Sequence, residues 1–194
     1  MGEAELIQAA AAGDTDAFER LVELKRRLVL RAAFRILGNL DDAHDVAQTV
    51  FLTLWRSLDR YDHSRRFDTW LYRVTVNAAI DMARKAGPRG VLHPLPDEAR
   101  DGLFATGPEV ERKLNRAELQ KVFLRLSAGL PERQRAAFVL RELQGLSTAE
   151  VAEVLGVTAS TVRNHLLQAR RFLREGIRRE YPGLVPSGDG GEGS

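Results

Sequence analysis

One interruption organises this chain. Between positions 87 and 112 stand Gly87, Pro88, Gly90, Pro94, Pro96, Gly102, Gly107 and Pro108. So many breakers in so short a stretch mark an interdomain linker. On either side, apolar residues recur at helical spacing and strand alternation is nearly absent. The pattern predicts an all-α fold of two small helical domains, residues 1–86 and 113–180, joined by a flexible linker over 87–112 and followed by a disordered, Gly-rich tail over 181–194. In the first domain, Leu6, Ala9 and Ala10 precede Gly13. Asp14 or Thr15 then caps a helix carrying Phe18, Leu21, Val22 and Leu28 to Ile36, which Gly38 ends. Asn39 caps a third helix, with Ala43, Val46, Ala47, Val50, Phe51 and Leu54 on one stripe. A fourth runs from Phe67 to Arg84. Beyond the linker, helices are expected over about 114–127, 131–143, 148–155 and 159–179.

The charge is unevenly shared. Residues 113–180 carry 13 Lys/Arg against 7 Asp/Glu, whereas residues 1–86 carry 13 of each. A basic C-terminal domain fits a nucleic-acid partner, and a solvated basic face would look the same. The chain has no cysteine, which excludes disulfides and thiolate zinc sites. Glu3 and Glu5 stand where a signal peptide would be positive, and no apolar run reaches the roughly 18–20 residues of a membrane helix. A cytoplasmic protein without membrane insertion is expected. Its four histidines, His44, His63, His93 and His165, are scattered. No phosphate loop, metal cluster or nucleophile motif is present, so no enzyme, metal or cofactor is expected.

The sharpest motif is Leu146 to Arg171. Ser147 and Glu150 form a capping box before Val151, Val154 and Leu155. Gly156 and Val157 make a tight turn, and Thr158 caps a second helix with Val162, Leu166, Ala169 and Leu173 facing inward. A short helix, a glycine turn and a longer helix are the layout of a helix-turn-helix, whose second helix enters the DNA major groove. Its outward residues Ser160, Arg163, Asn164 and Gln168 can bond base edges, Arg favouring guanine and Asn or Gln adenine. Arg170, Arg171 and Arg174 suit phosphates. His165 lies between the groove face and the core face and can serve either.

Two further surfaces stand out in the first domain. Asp45, Gln48 and Phe51, with Asp41 and Leu52, give the third helix a mixed polar and aromatic face that suits a protein partner or, equally, a solvated acidic face over a buried Phe51. Phe67, Trp70, Tyr72 and Arg73, followed by Asn77, Asp81, Arg84 and Lys85, interleave aromatic and polar groups as in surfaces that bind unpaired bases. Phe67 and Trp70 fit core packing better, and Arg73 and Asn77 fit function better.

These stretches together resemble a known family. Asp41-Asp42-Ala43-His44-Asp45-Val46-Ala47-Gln48-Thr49-Val50-Phe51 is similar to region 2.2 of the extracytoplasmic-function (ECF) sigma factors of the sigma-70 family. Phe67-Asp68-Thr69-Trp70-Leu71-Tyr72-Arg73-Val74-Thr75-Val76-Asn77 resembles their regions 2.3 and 2.4. Leu130-Pro131-Glu132-Arg133-Gln134-Arg135, with Leu140 to Ser147, resembles the start of region 4, and Thr161-Val162-Arg163-Asn164-His165-Leu166 through Arg170 its recognition helix. The resemblance implies a stress-response transcription initiation factor that binds core RNA polymerase and directs promoter-specific initiation. Asp41, Asp45, Gln48, Phe51 and Leu52 would dock on the clamp of the largest polymerase subunit. The flap of the second largest would be a further contact. Arg65, Arg66 and the Phe67 region would capture a flipped base of the −10 element, with Trp70, Arg73, Asn77, Asp81 and Arg84 against the opened strand or upstream duplex. Ser160, Thr161, Arg163, Asn164, His165, Gln168, Arg170 and Arg171 would read the duplex −35 element. An anti-sigma factor is the further partner the family implies.

Some residues depart from the family pattern. His44 and Thr49 replace acidic residues, Lys25 and Arg26 lie where an aromatic is common, and Asn164 and His165 replace the more usual Ser and Arg. The linker adds a geometric expectation. Its 26 residues reach at most about 90 Å extended and roughly 30 Å as a coil, while the two promoter elements lie on the order of 70 Å apart. In solution the domains should therefore sit closer than on DNA. A helix-turn-helix regulator that binds duplex DNA without polymerase is the principal alternative. A purely protein-binding adaptor fits the basic second domain poorly.

Overall fold

The computed structural model describes residues 2–62, 64, 66–86 and 110–181, with backbone alone at 86 and 110–118. Among the described residues it is helical throughout. The first half comprises α1 (Glu3–Ala11), α2 (Thr15–Leu37), α3 (Leu40–Ser57), a 3-10 turn (Leu58–Arg60) and α4 (Phe67–Ala86). The second comprises α5 (Val110–Ser127), α6 (Glu132–Phe138), a π-helical turn (Val139–Leu143), α7 (Thr148–Leu155) and α8 (Ala159–Glu180). Apart from 110–112, which begin α5, the expected linker lies outside the described residues, as does the expected tail apart from Tyr181.

The helix boundaries are set by local chemistry. Asp14 accepts the Ala17 N–H at 3.0 Å, Asn39 that of Asp42 at 3.0 Å, and Thr158 that of Thr161 at 3.1 Å. Gly38 and Gly156 close α2 and α7 with φ of 72° and 63°, a left-handed conformation that side chains with a Cβ resist. The helix expected over 131–143 is α6 with a π-helical end. The wider turn carries both Val139 and Leu140 into the core, and the Leu146 N–H reaches back to the Leu140 carbonyl at 3.1 Å.

Helices α2, α3 and α4 pack around Leu21, Val29, Phe34, Val46, Val50, Leu54, Leu71 and Val76, all buried. In the second half α6, α7 and α8 surround Ala136, Val151, Val154 and Val162. A separate small cluster, Val122, Leu126, Leu130, Ala169 and Leu173, fixes α5 to α8. The two halves also pack directly on each other, and apart from that small cluster their buried hydrophobic residues form one continuous core. Helix α4 lies against α7, and polar links among the described residues join the halves. Arg35 donates to the Leu143 carbonyl at 2.8 Å and Arg135 to that of Ile36 at 2.7 Å. The Tyr72 hydroxyl donates to Gln144 Oε1 at 3.2 Å, and Arg66 pairs with Glu150 at 2.6 Å. The closeness of the halves expected from the linker therefore rests on direct contact within this chain.

Candidate functional site

The helix-turn-helix is built from both of its ends. The Ser147 hydroxyl accepts from the Glu150 N–H at 3.2 Å, and Glu150 accepts from the Ser147 N–H at 2.8 Å. These bonds, with Arg66 beside them, hold the Glu150 carboxyl below its usual range. Helix α8 is anchored by Val162, Leu166, Ala169 and Leu173, all buried. The 3.6-residue repeat then leaves Ser160, Arg163, Asn164 and Gln168 exposed on one end of α8. Thr161 is half-buried and shares a hydroxyl contact of 2.9 Å with Thr158, so it serves the cap. His165 is half-buried. Burial first, then the nearby Arg133, lowers its pKa, so it is neutral at pH 7. Arg170 pairs with Glu142 and Arg171 with Glu175 at 2.9 Å. Both arginines are more than half exposed. Pairs of this kind contribute about 0–1 kcal/mol and yield readily to a phosphate.

On α4, Arg73, Asn77, Asp81 and Arg84 are exposed at helical spacing. Phe67 is buried and Trp70 half-buried. Both pack with Tyr61, whose ring centroid lies 5.3 Å from each. This aromatic trio joins the two ends of the segment between the 3-10 turn and α4. Arg66, at the end of that segment, is 76% exposed at its side chain and reaches Glu150. Arg65 lies outside the described residues. Tyr72 turns inward to Gln144, and burial pushes its phenol up to about 12.

The face of α3 is gathered as expected. Asp41, Asp45, Gln48 and Leu52 are exposed and Phe51 is half-buried. They do not stand alone, because Gln48, Phe51 and Leu52 line a groove of about 390 Å³ with Thr15, Phe18, Glu19 and Trp55. Phe18 meets Trp55 edge-on, centroids 4.8 Å apart. Leu52 is 51% and Trp55 40% exposed, so the groove presents apolar surface to solvent. Trp55 and Phe18 were not among the expected docking residues. Trp55 follows Phe51 by four, and that spacing was the available signal.

Two of the departures also find a place. Thr49 turns its hydroxyl onto the Asp45 carbonyl of its own helix at 2.9 Å. Lys25 is buried, its ammonium 2.8 Å from Glu3 and 2.6 Å from Asp68.

Comparison with known proteins agrees with this geometry. Residues 21–89 match the family model for sigma-70 region 2, and residues 120–173 match that for sigma-70 region 4. The ECF RNA polymerase sigma factor SigW of Bacillus subtilis is 31% identical over 89% of this chain and 95% of its own. The ECF RNA polymerase sigma-E factor of Escherichia coli is 32% identical over 87% of this chain and 90% of its own. Among solved structures, CnrH in complex with the cytosolic domain of CnrY superposes with a TM-score of 0.62. It is 26% identical and covers 90% of this chain and 96% of its own. With a region 2 bundle, a region 4 helix-turn-helix and relatives aligned along nearly its whole length, this chain belongs to the ECF sigma factors of the sigma-70 family, the transcription initiation factors of bacterial RNA polymerase.

Proposed function

We propose that the chain docks on core RNA polymerase through α3, reads a duplex −35 element with α8, and captures single-stranded −10 bases with the Tyr61–Phe67 segment and the exposed face of α4. The observation that carries this reading is α8 itself. Its capped N-terminus presents Ser160, Arg163, Asn164 and Gln168 over a fully apolar inner face. Melting follows from trapping unpaired bases, so it draws on binding energy and needs no ATP. The factor itself performs no bond chemistry and acts in the cytoplasm, where its polymerase is. CnrH, solved in complex with the cytosolic domain of CnrY, supports a further protein partner for this chain, which the family resemblance suggests is an anti-sigma factor.

Transcription in vitro tests the proposal. Protein added to sigma-free core polymerase with genomic promoter fragments is expected to yield defined transcripts that depend on it. An absence of transcripts, together with tight duplex binding by the protein alone, would identify a helix-turn-helix regulator instead. Within this assay, Arg163→Ala and Asn164→Ala are each expected to lose about 1–3 kcal/mol of promoter discrimination, with core binding unchanged. Both side chains are exposed, so the fold is spared. Equal loss of core binding in both variants would overturn the assignment of −35 reading to α8.

A further inference from the structure

We propose that Lys25 is a positioning residue for Phe67 and the first turn of α4, an inference that rests on the −10 reading above. Lys25 sits in the middle of α2 and is 6% exposed. A buried ammonium is costly unless it is paired, and this one is paired twice. Its Nζ donates to Glu3 on α1 at 2.8 Å and to Asp68 in the first turn of α4 at 2.6 Å. It also lies 5.6 Å from the centre of the Phe67 ring, within cation–π range. Burial alone would lower its pKa, but Asp68 and Glu3 together raise it, so the charge is retained.

The consequence lies in what Phe67 and Asp68 hold. They are the first two residues of α4. Tyr61, which follows the 3-10 turn, packs on both Phe67 and Trp70. One cation on α2 therefore fixes the register of α4's first turn, the pose of Phe67 and, through Phe67, its packing on Tyr61. Two contacts reach toward the first turn of α4 and a third, to Glu3, reaches away from it. The two directions can be separated experimentally. Glu3 and Asp68 are each about two-fifths exposed, so either can be neutralised without leaving a buried carboxylate.

Three variants of the full chain, assembled with core polymerase, separate positioning from simple stabilisation. They are Lys25→Met, Asp68→Asn and Glu3→Gln. The probe is a single-stranded, non-template oligonucleotide spanning the −10 segment of a promoter recovered in the transcription assay. A duplex −35 fragment and core affinity serve as controls. Lys25→Met and Asp68→Asn are expected to weaken strand binding by about tenfold, the scale of part of one stacked base, and the double variant to be little worse than either. Glu3→Gln is expected to stay within about twofold. Duplex binding and core affinity should not move in any of them. Full strand binding by Lys25→Met or Asp68→Asn, or equal losses in all three variants, would overturn the inference. If Lys25→Met does not fold, Asp68→Asn decides alone. A wild-type holoenzyme that ignores the strand would overturn the −10 reading and this inference with it.

Discussion

Leu52→Asp is expected to weaken binding to core RNA polymerase by about a hundredfold while shifting the thermal midpoint of the free chain little. Leu52 is 51% exposed and contributes to no buried cluster. Exposed substitutions of this kind stay within about 0.5 kcal/mol of wild-type stability. The loss arises at the interface. The groove beside Leu52 is apolar, flanked by Phe18, Phe51 and Trp55, and bordered by Gln48 and Glu19. That is the composition of an interface centre, where a few aromatic and aliphatic groups carry most of the affinity. A carboxylate there would have to be desolvated on docking. Asp45→Arg, at the exposed polar end of the same helix face, is expected to block docking by reversing charge, again with the fold intact. Affinity for core can be read by titration against a labelled wild-type chain. Unchanged binding by both variants would remove the docking role from α3.

How much of this was legible in the sequence depended on range. The sequence leaves the α2 cap between Asp14 and Thr15, and the structure gives Asp14. The caps at Asn39, Ser147 and Thr158 and the stops at Gly38 and Gly156 act over a few residues, and each could be read in the sequence. So could the inner stripe of α8 and, by subtraction, its outer face. The π-helical end of α6 could not, because it depends on which side chains the rest of the core accepts. Lys25 stood out in the sequence only as a departure. Its meaning lies with Glu3 and Asp68, 22 and 43 residues away. The links between the halves span 72 to 108 residues, and no periodicity encodes them. Linker length did give closeness of the halves, since chain statistics need no contacts, but not the surfaces that meet. On α3 the sequence supplied Asp41, Asp45, Gln48, Phe51 and Leu52 of the proposed docking face but not Trp55. It missed Phe18, which belongs to another helix and joins the groove only by folding.

The packed halves lead to the second large effect. Cysteines introduced at Asp59 and Arg178, both exposed, can carry spin labels without competition, since the chain has no cysteine of its own. Their separation is expected to grow by tens of Å when the chain passes from the free state to the polymerase–promoter complex, because the two elements it would span lie on the order of 70 Å apart. The free chain cannot reach both while α4 lies on α7. The contact is suited to release. Arg66 and Glu150 pair at a largely exposed site, worth about 0–1 kcal/mol. Burial, with Arg31 nearby, lowers Arg35 to about 10, and burial lowers Arg135 as well, so opening returns both guanidinium groups to water and relieves that penalty. Arg135 Nε and Gln144 Nε2 are buried without a partner among the described residues, and both would gain water on opening. What opening loses is the apolar contact of α4 with α7 and the hydrogen bonds of Arg35, Arg135 and Tyr72 across the halves, and the proposed docking of α3 and α8 would have to offset both. Glu150→Arg sets like charge against Arg66 and should move part of the free population to the longer separation, whereas wild type should open only on assembly. A label separation that stays short in the full promoter complex would mean that the halves travel together, and then α8 and α4 could not serve two separated promoter elements.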